Sequence, residues 1–297
     1  MLYVVGTPIG NLDDITLRAL KTLENADLIA AEDTRHTLSM LEHFGLKKPL
    51  ISYFEHNKLS RGPEIIEKLK YGTDVALVSD AGMPGICDPG YELIQSCIAE
   101  NIPVTVIPGP SACVTALVLS GLPTDGFVFE GFIGTDNKTR RAFFNRLVSE
   151  RRTTVCYEAP HRIIKTLSEL SALFADNGMP DRRLSICREL TKKHEEILRG
   201  TASELAAKFE ENPPRGEFVV CIEGICPGGN REAEKVAKVQ NAAGNIASAD
   251  SEKEMRELYN GLIQSGLLPK NAMKELQNRY GISRNEAYRI VKLPDKI

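Results

Sequence analysis

The sequence predicts an α/β protein of two successive α/β domains, the first with a mostly parallel sheet and the second with a mixed sheet, followed by a small helical module. Three observations carry that prediction. Short, continuous apolar runs alternate with helical patterns over the first 120 residues, as in a parallel sheet covered by helices on both faces. Beyond residue 121 strand-like runs follow one another with fewer helices between them. A length of 297 residues fits two domains of about 100–200 residues and a remainder.

The first strand is Leu2–Gly6, an apolar run ending in glycine. A helix is expected from Ile15 to about Asn25. Strand 27–33 (DLIAAED), a helix near 36–43, strand 49–54 (PLISYF) and a helix near 61–70 follow. Strand 74–80 (DVALVSD), a helix near 90–100 and strand 103–109 (PVTVIPG) complete the first domain, residues 1–121. The second domain, 122–225, holds strand 127–134, a basic helix at 137–150, strand 153–159, a helix from Arg162 to Phe174, and strands at 184–190, 195–200 and 217–224. Residues 226–254 are poor in aliphatics and rich in Ala, Asn, Gly and Ser, the composition of a linker. The last segment, 255–297, is helical, with Gly281-Ile282-Ser283 between two short helices. Ser283 and Glu286 have the spacing of a capping box.

Composition narrows the function. Hydrophobic residues make up 42% and charged residues 26%, ordinary for a globular protein. No apolar run reaches the roughly 18–20 residues of a membrane span, and the N-terminus lacks the basic start of a secretory signal. A net charge of −3 excludes a globally basic nucleic-acid binder but not a local basic patch. The seven cysteines contain no CxxC and are expected as buried free thiols of a cytoplasmic protein. His36, His43, His56 and His194 show no metal spacing, so no metal is expected. His161, beside Pro160 and Arg162, is open to either a chemical or a packing role.

Three glycine-rich loops fall at strand ends, where open α/β sheets bind ligands. They are Gly6-Thr7-Pro8-Ile9-Gly10-Asn11, Ser79 to Gly90 (SDAGMPGICDPG) and Pro108-Gly109-Pro110-Ser111-Ala112. Neither GxGxxG nor a Walker loop is present, and no lysine stands in them to meet phosphate. A nucleoside triphosphate is therefore not the expected ligand. Ser111 is placed to cap the next helix.

VGTPIGNLDDIT, AEDTRHT, SDAGMPGICDPG, VIPGPSA, YEAPHR and GEFVV together resemble the tetrapyrrole-methylase-like superfamily of S-adenosylmethionine methyltransferases. More closely, they resemble the bacterial 16S rRNA (cytidine-2′-O)-methyltransferase I family. The resemblance covers about residues 1–225. It implies two α/β domains with S-adenosylmethionine in the cleft between them, a homodimer, and methylation of a decoding-centre cytidine ribose in 16S rRNA, within the small ribosomal subunit. It also implies the cofactor-binding residues: Ile9, Asp80, Ala81, Gly82, Met83, Ile86, Ser111, Ala112, Tyr157 and Glu158, with Gly200 matched more weakly. Porphyrinoid methylases of the superfamily have Asp where this chain has Met83. That departure counts against a porphyrinoid substrate, the competing enzymatic reading. A non-catalytic RNA-binding assembly factor is the competing non-enzymatic one.

A ribose hydroxyl is a weak nucleophile at neutral pH, so a base or an electrostatic aid is expected, with Glu158, Asp80, Glu32 and Glu217 as candidates to take or polarise its proton. Arg35, after Glu32-Asp33-Thr34, is a candidate phosphate contact. Residues 136–152 carry a net charge of +4 inside an acidic protein. Lys138, Arg140 and Arg141 from that segment, together with Arg162, are candidate RNA contacts. The last 28 residues also carry +4. They are open to RNA docking or plain packing, with DNA reading disfavoured.

Overall fold

Five apolar segments of the first 107 residues pair as one parallel sheet: β1 (Leu2–Val5), β2 (Leu28–Ala31), β3 (Leu50–Ser52), β4 (Val75–Val78) and β5 (Val104–Ile107). Their order is β3-β2-β4-β1-β5. The computed structural model describes residues 1–211, 214–225, 249–264, 267–280, 282, 287–288 and 290–291. It divides into two units, Met1–Ile225 and Cys226–Ile297.

Strand alternation feeds both faces of this first sheet. Leu2, Val4, Ala30, Val75 and Leu77 pack with Ile65, Leu69, Leu93 and Cys97 of α3 (Lys58–Lys70) and α4 (Tyr91–Ala99). Val5, Ile29, Ala31, Ala76 and Val78 pack with Ala19, Leu23, Met40 and Leu41 of α1 (Leu17–Asn25) and α2 (Thr34–His43). Thr16 caps α1 by accepting from the Ala19 N–H at 3.0 Å.

The second sheet holds β6 (Phe127–Phe132), β7 (Thr153–Glu158), β8 (Arg183–Arg188), β9 (Glu196–Thr201) and β10 (Phe218–Ile222), in the order β6-β7-β10-β8-β9. Only β6 and β7 run parallel, so this sheet is mixed. One face is covered by α6 (Asn137–Leu147), α7 (Ile163–Asp176) and α8 (Ala202–Glu211). The other face is covered by α5 (Ala112–Ser120), whose Cys113, Ala116 and Leu117 pack on Val155, Cys187, Val219 and Cys221. The helix that follows the first sheet thus closes the core of the second, which joins the two halves into one unit.

The helix α8 is absent from the expected elements, although Ala202, Leu205, Ala206 and Phe209 have the i, i+3, i+4, i+7 spacing that signals it. In the second unit, α9 (Ala249–Gln264) and α10 (Pro269–Tyr280) are helical. Helix α9 starts inside the segment expected as linker, because ADSEKEMREL is rich in good helix formers. Met255, Leu276, Ala287 and Ile290 form its core. The capping box of Ser283 and Glu286 lies outside the described residues, as does most of 226–254. Five of the cysteines, Cys97, Cys113, Cys156, Cys187 and Cys221, are buried and free, while Cys87 is exposed. Among the described residues no helix is long and apolar enough to cross a membrane.

Candidate functional site

Strands β4, β1 and β5 are neighbours, so the three glycine-rich loops leave adjacent strand ends. Gly6 and Gly109 lie against one another: a Cβ on Gly6 would sit 2.8 Å from the Gly109 Cα. Thr7 and Gly82 exchange backbone hydrogen bonds of 2.9 and 3.1 Å, and the Thr7 hydroxyl donates to the Ser79 carbonyl at 3.1 Å. Gly82 has φ +81°, a left-handed conformation that favours glycine. The loops are therefore fastened to each other as well as to their strands.

They open onto a cavity of about 310 Å³, within the size range of small-molecule sites. Ile9, Ala81, Gly82, Met83, Ile86, Ser111 and Ala112 supply one wall, and Tyr157 and Glu158 part of the other. The sequence reading missed Cys87, Asp88, Phe132, Ala159, Pro160, Leu190, Phe218 and Val219, which also line the cavity. Asp88 was legible as part of the second loop. Phe132 and Leu190 come from strand ends that only the tertiary fold brings to this place. Among the described residues no Lys or Arg lines the cavity.

Asp80 and Glu32 stand behind this wall rather than in it. The Asp80 N–H donates to Glu32 Oε2 at 3.3 Å, and the Asp33 N–H donates to Asp80 Oδ1 at 3.0 Å. Burial pushes the Glu32 carboxyl up, and the neighbouring Asp80 and Asp33 add to that. Burial also lifts Asp88, to about 6, with Glu32 and Asp80 adding and the Ser79 hydroxyl opposing.

Several expected roles are corrected by packing. The Glu158 side chain is fully buried. Its Oε1 accepts from the Ala159 N–H and pairs with Arg162 at 2.6 Å. Its Oε2 accepts from the Thr166 hydroxyl at 2.6 Å and lies 3.6 Å from Arg140. Both oxygens are engaged in this buried cluster, which leaves neither free to accept a proton from a substrate. Arg140 is buried on Glu169 and Thr166, at 2.6 and 2.7 Å. Arg162 is tied to Glu158 and to the Ile133 carbonyl. Neither guanidinium is free to meet phosphate. Arg35 is exposed, but Asp33 holds it in a bidentate pair and at the same time caps α2. Lys138 and Arg141 are exposed on α6. Gly200 lies on β9 away from the cavity, with the Glu204 side chain packed over it. The Ser111 side chain does not cap α5; its hydroxyl lies 3.3 Å from Cys113 Sγ.

Residues 1–206 match the model of the tetrapyrrole (corrin/porphyrin) methylases. A ribosomal RNA small subunit methyltransferase I from Synechocystis is 43% identical over 98% of this chain and 96% of its own length. The enzyme of the same name from Halalkalibacterium halodurans is 42% identical over 97% of this chain and 93% of its own. Among solved structures, a cobalt precorrin-4 methyltransferase shares the fold, with a TM-score of 0.59 and 17% identity over 75% of this chain and 94% of that one. Diphthine synthase aligns with a TM-score of 0.56 and 18% identity over 75% of this chain and 89% of its own. The family model over residues 1–206 places the chain among the tetrapyrrole methylases, and the identities over nearly its whole length place it more narrowly: this chain belongs to the ribosomal RNA small subunit methyltransferase I family.

Proposed function

We propose that the chain transfers a methyl group from S-adenosylmethionine to the ribose 2′-hydroxyl of a decoding-centre cytidine in 16S rRNA, in the cytoplasm and as a homodimer. The observation that carries this reading is the cavity itself, built by three mutually fastened loops in a chain with rRNA methyltransferase relatives. Its lining suits a nucleoside: apolar walls come from Ile9, Met83, Ile86 and Leu190, and no basic side chain among the described residues lines it to invite phosphate. A Cβ at Gly82 would fill space between Ile9 and Pro110, at 3.6 and 3.8 Å.

When bound, that donor supplies an activated methyl group on sulfur. The chain's own part is to bind, align and dehydrate the reacting groups. Ile9, Gly82, Met83, Ser111, Ala112 and Tyr157 would hold the donor. Phe132, 58% exposed at the cavity, offers a ring on which a base splayed from the RNA can stack. Lys138 and Arg141 supply the mobile positive charge that meets flanking phosphates. Met83 in place of the porphyrinoid enzymes' Asp supports RNA over a porphyrinoid acceptor.

The test is transfer of labelled methyl to small ribosomal subunits, followed by digestion to nucleosides. Label in 2′-O-methylcytidine supports the reading. Label on a base, or none on RNA, contradicts it.

A further inference from the structure

Three carboxylate residues line the cavity: Asp88, Glu158 and Glu217. Glu158 is held by Arg140, Arg162, Thr166 and the Ala159 N–H. Glu217 sits at the rim with its side chain 78% exposed, paired with Lys192 at 2.8 Å. Asp88 has no cationic partner among the described residues. It lies on the loop that also supplies Ala81, Gly82 and Met83 to the cavity, and the Ser79 hydroxyl at the start of that loop donates to the Ala81 carbonyl at 3.4 Å. Of the three, its carboxylate is the one available to a bound substrate.

We propose that Asp88 is the catalytic residue that removes the proton of the acceptor hydroxyl. This rests on the methyl-transfer reading above. In the step, the hydroxyl O–H bond breaks and its proton passes to a carboxylate oxygen of Asp88. The oxygen forms its bond to the methyl carbon as the sulfur–carbon bond of the donor breaks, and that electron pair returns to sulfur, which becomes neutral.

The surroundings suit this task. Glu32 and Asp80 face Asp88 from the ends of β2 and β4, with Cys87 beside it and Tyr157 across the cavity from β7. Burial and the two neighbouring carboxylates bring Asp88 up to about 6, so it is ionised at neutral pH yet a stronger base than an exposed carboxylate. Partial burial and the neighbouring Asp88 push the Cys87 thiol up, burial pushes the Tyr157 hydroxyl up, and both stay neutral in that range. The active form is the ionised one, so the rate rises with pH through about 6 and is level above it.

The experiment is single-turnover methyl transfer to unmethylated small subunits between pH 5 and 8, with donor affinity measured by equilibrium dialysis. Wild type should show the acid limb near 6. Asp88→Asn should lose at least about 100-fold in rate and lose the limb, with the S-adenosylmethionine dissociation constant within threefold of wild type. Glu32→Gln removes one of the charges that raise Asp88 and should move the limb to lower pH, which a merely structural Asp88 would not produce. A near wild-type rate in Asp88→Asn, a limb that persists in it, or loss of donor affinity in a folded Asp88→Asn protein would overturn the assignment. If Asp88→Asn does not fold, an unmoved limb in Glu32→Gln overturns it and a shifted one supports it. Absence of transfer by the wild-type protein would instead sink the reading on which the assignment rests.

Discussion

Glu158 and Asp88 end up in roles that their sequence contexts suggest only in part. Both come to the same cavity, but Glu158 is clamped by two guanidinium groups and Asp88 by none. The YEAPHR motif itself holds Glu158 and its partner Arg162, whereas the other partners that immobilise it come from α6 and α7. Arg140 and Thr166 lie 18 and 8 residues away in sequence, and no spacing rule predicts their approach to it. A buried charge cluster of this kind is costly to break, because the remaining ions lose their compensation. Glu158→Gln should therefore destabilise the fold by about 3 kcal/mol, read as a lower urea midpoint at unchanged m-value. A loss of activity with unchanged stability would restore Glu158 as a chemical group.

At the scale of elements, the loops were the most legible part. Ile9, Gly82, Met83, Ile86, Ser111 and Ala112 all reach the cavity, because glycine and proline leave a strong mark on sequence wherever backbone must pass close. The basic helix was half legible. Charge marks α6 but not which face of it is buried, so Arg140 points into the core while Lys138 and Arg141 face solvent. Those two should account for the salt sensitivity of subunit binding. Replacing both Lys138 and Arg141 with Ala should weaken binding and flatten the slope of log K against log salt by about 1.5. Titrations at several salt concentrations measure this. A weaker affinity with an unchanged slope would mean that α6 contributes shape and not phosphate neutralisation. Helix α8 was missed because a short helix between two strands is easily absorbed into a β-rich reading, although its apolar spacing is clear.

For the molecule as a whole, the alternation of strands and helices made the parallel sheet predictable, and the thinning of helices made the mixed sheet predictable. What sequence did not reveal is that α5 serves the second core, since an apolar helix carries no mark of which sheet it covers. One edge of the first sheet, β5, exposes Val106, and α5 exposes Val114 and Val118. Exposed apolar side chains on an open sheet edge and the following helix support a homodimer. Val118→Arg should shift the sedimenting species from two chains to one. A single-chain species for the unmodified protein would contradict the dimer.

Methyl transfer is decided by incubating the protein and labelled S-adenosylmethionine with small subunits from two sources, a strain lacking this gene and its parent. Close to one methyl per subunit is expected on those from the deletion strain, located on a single cytidine ribose of the decoding centre, and none on subunits from the parent. Equal labelling of both, or binding of the donor with no transfer to either, would contradict the proposed reaction.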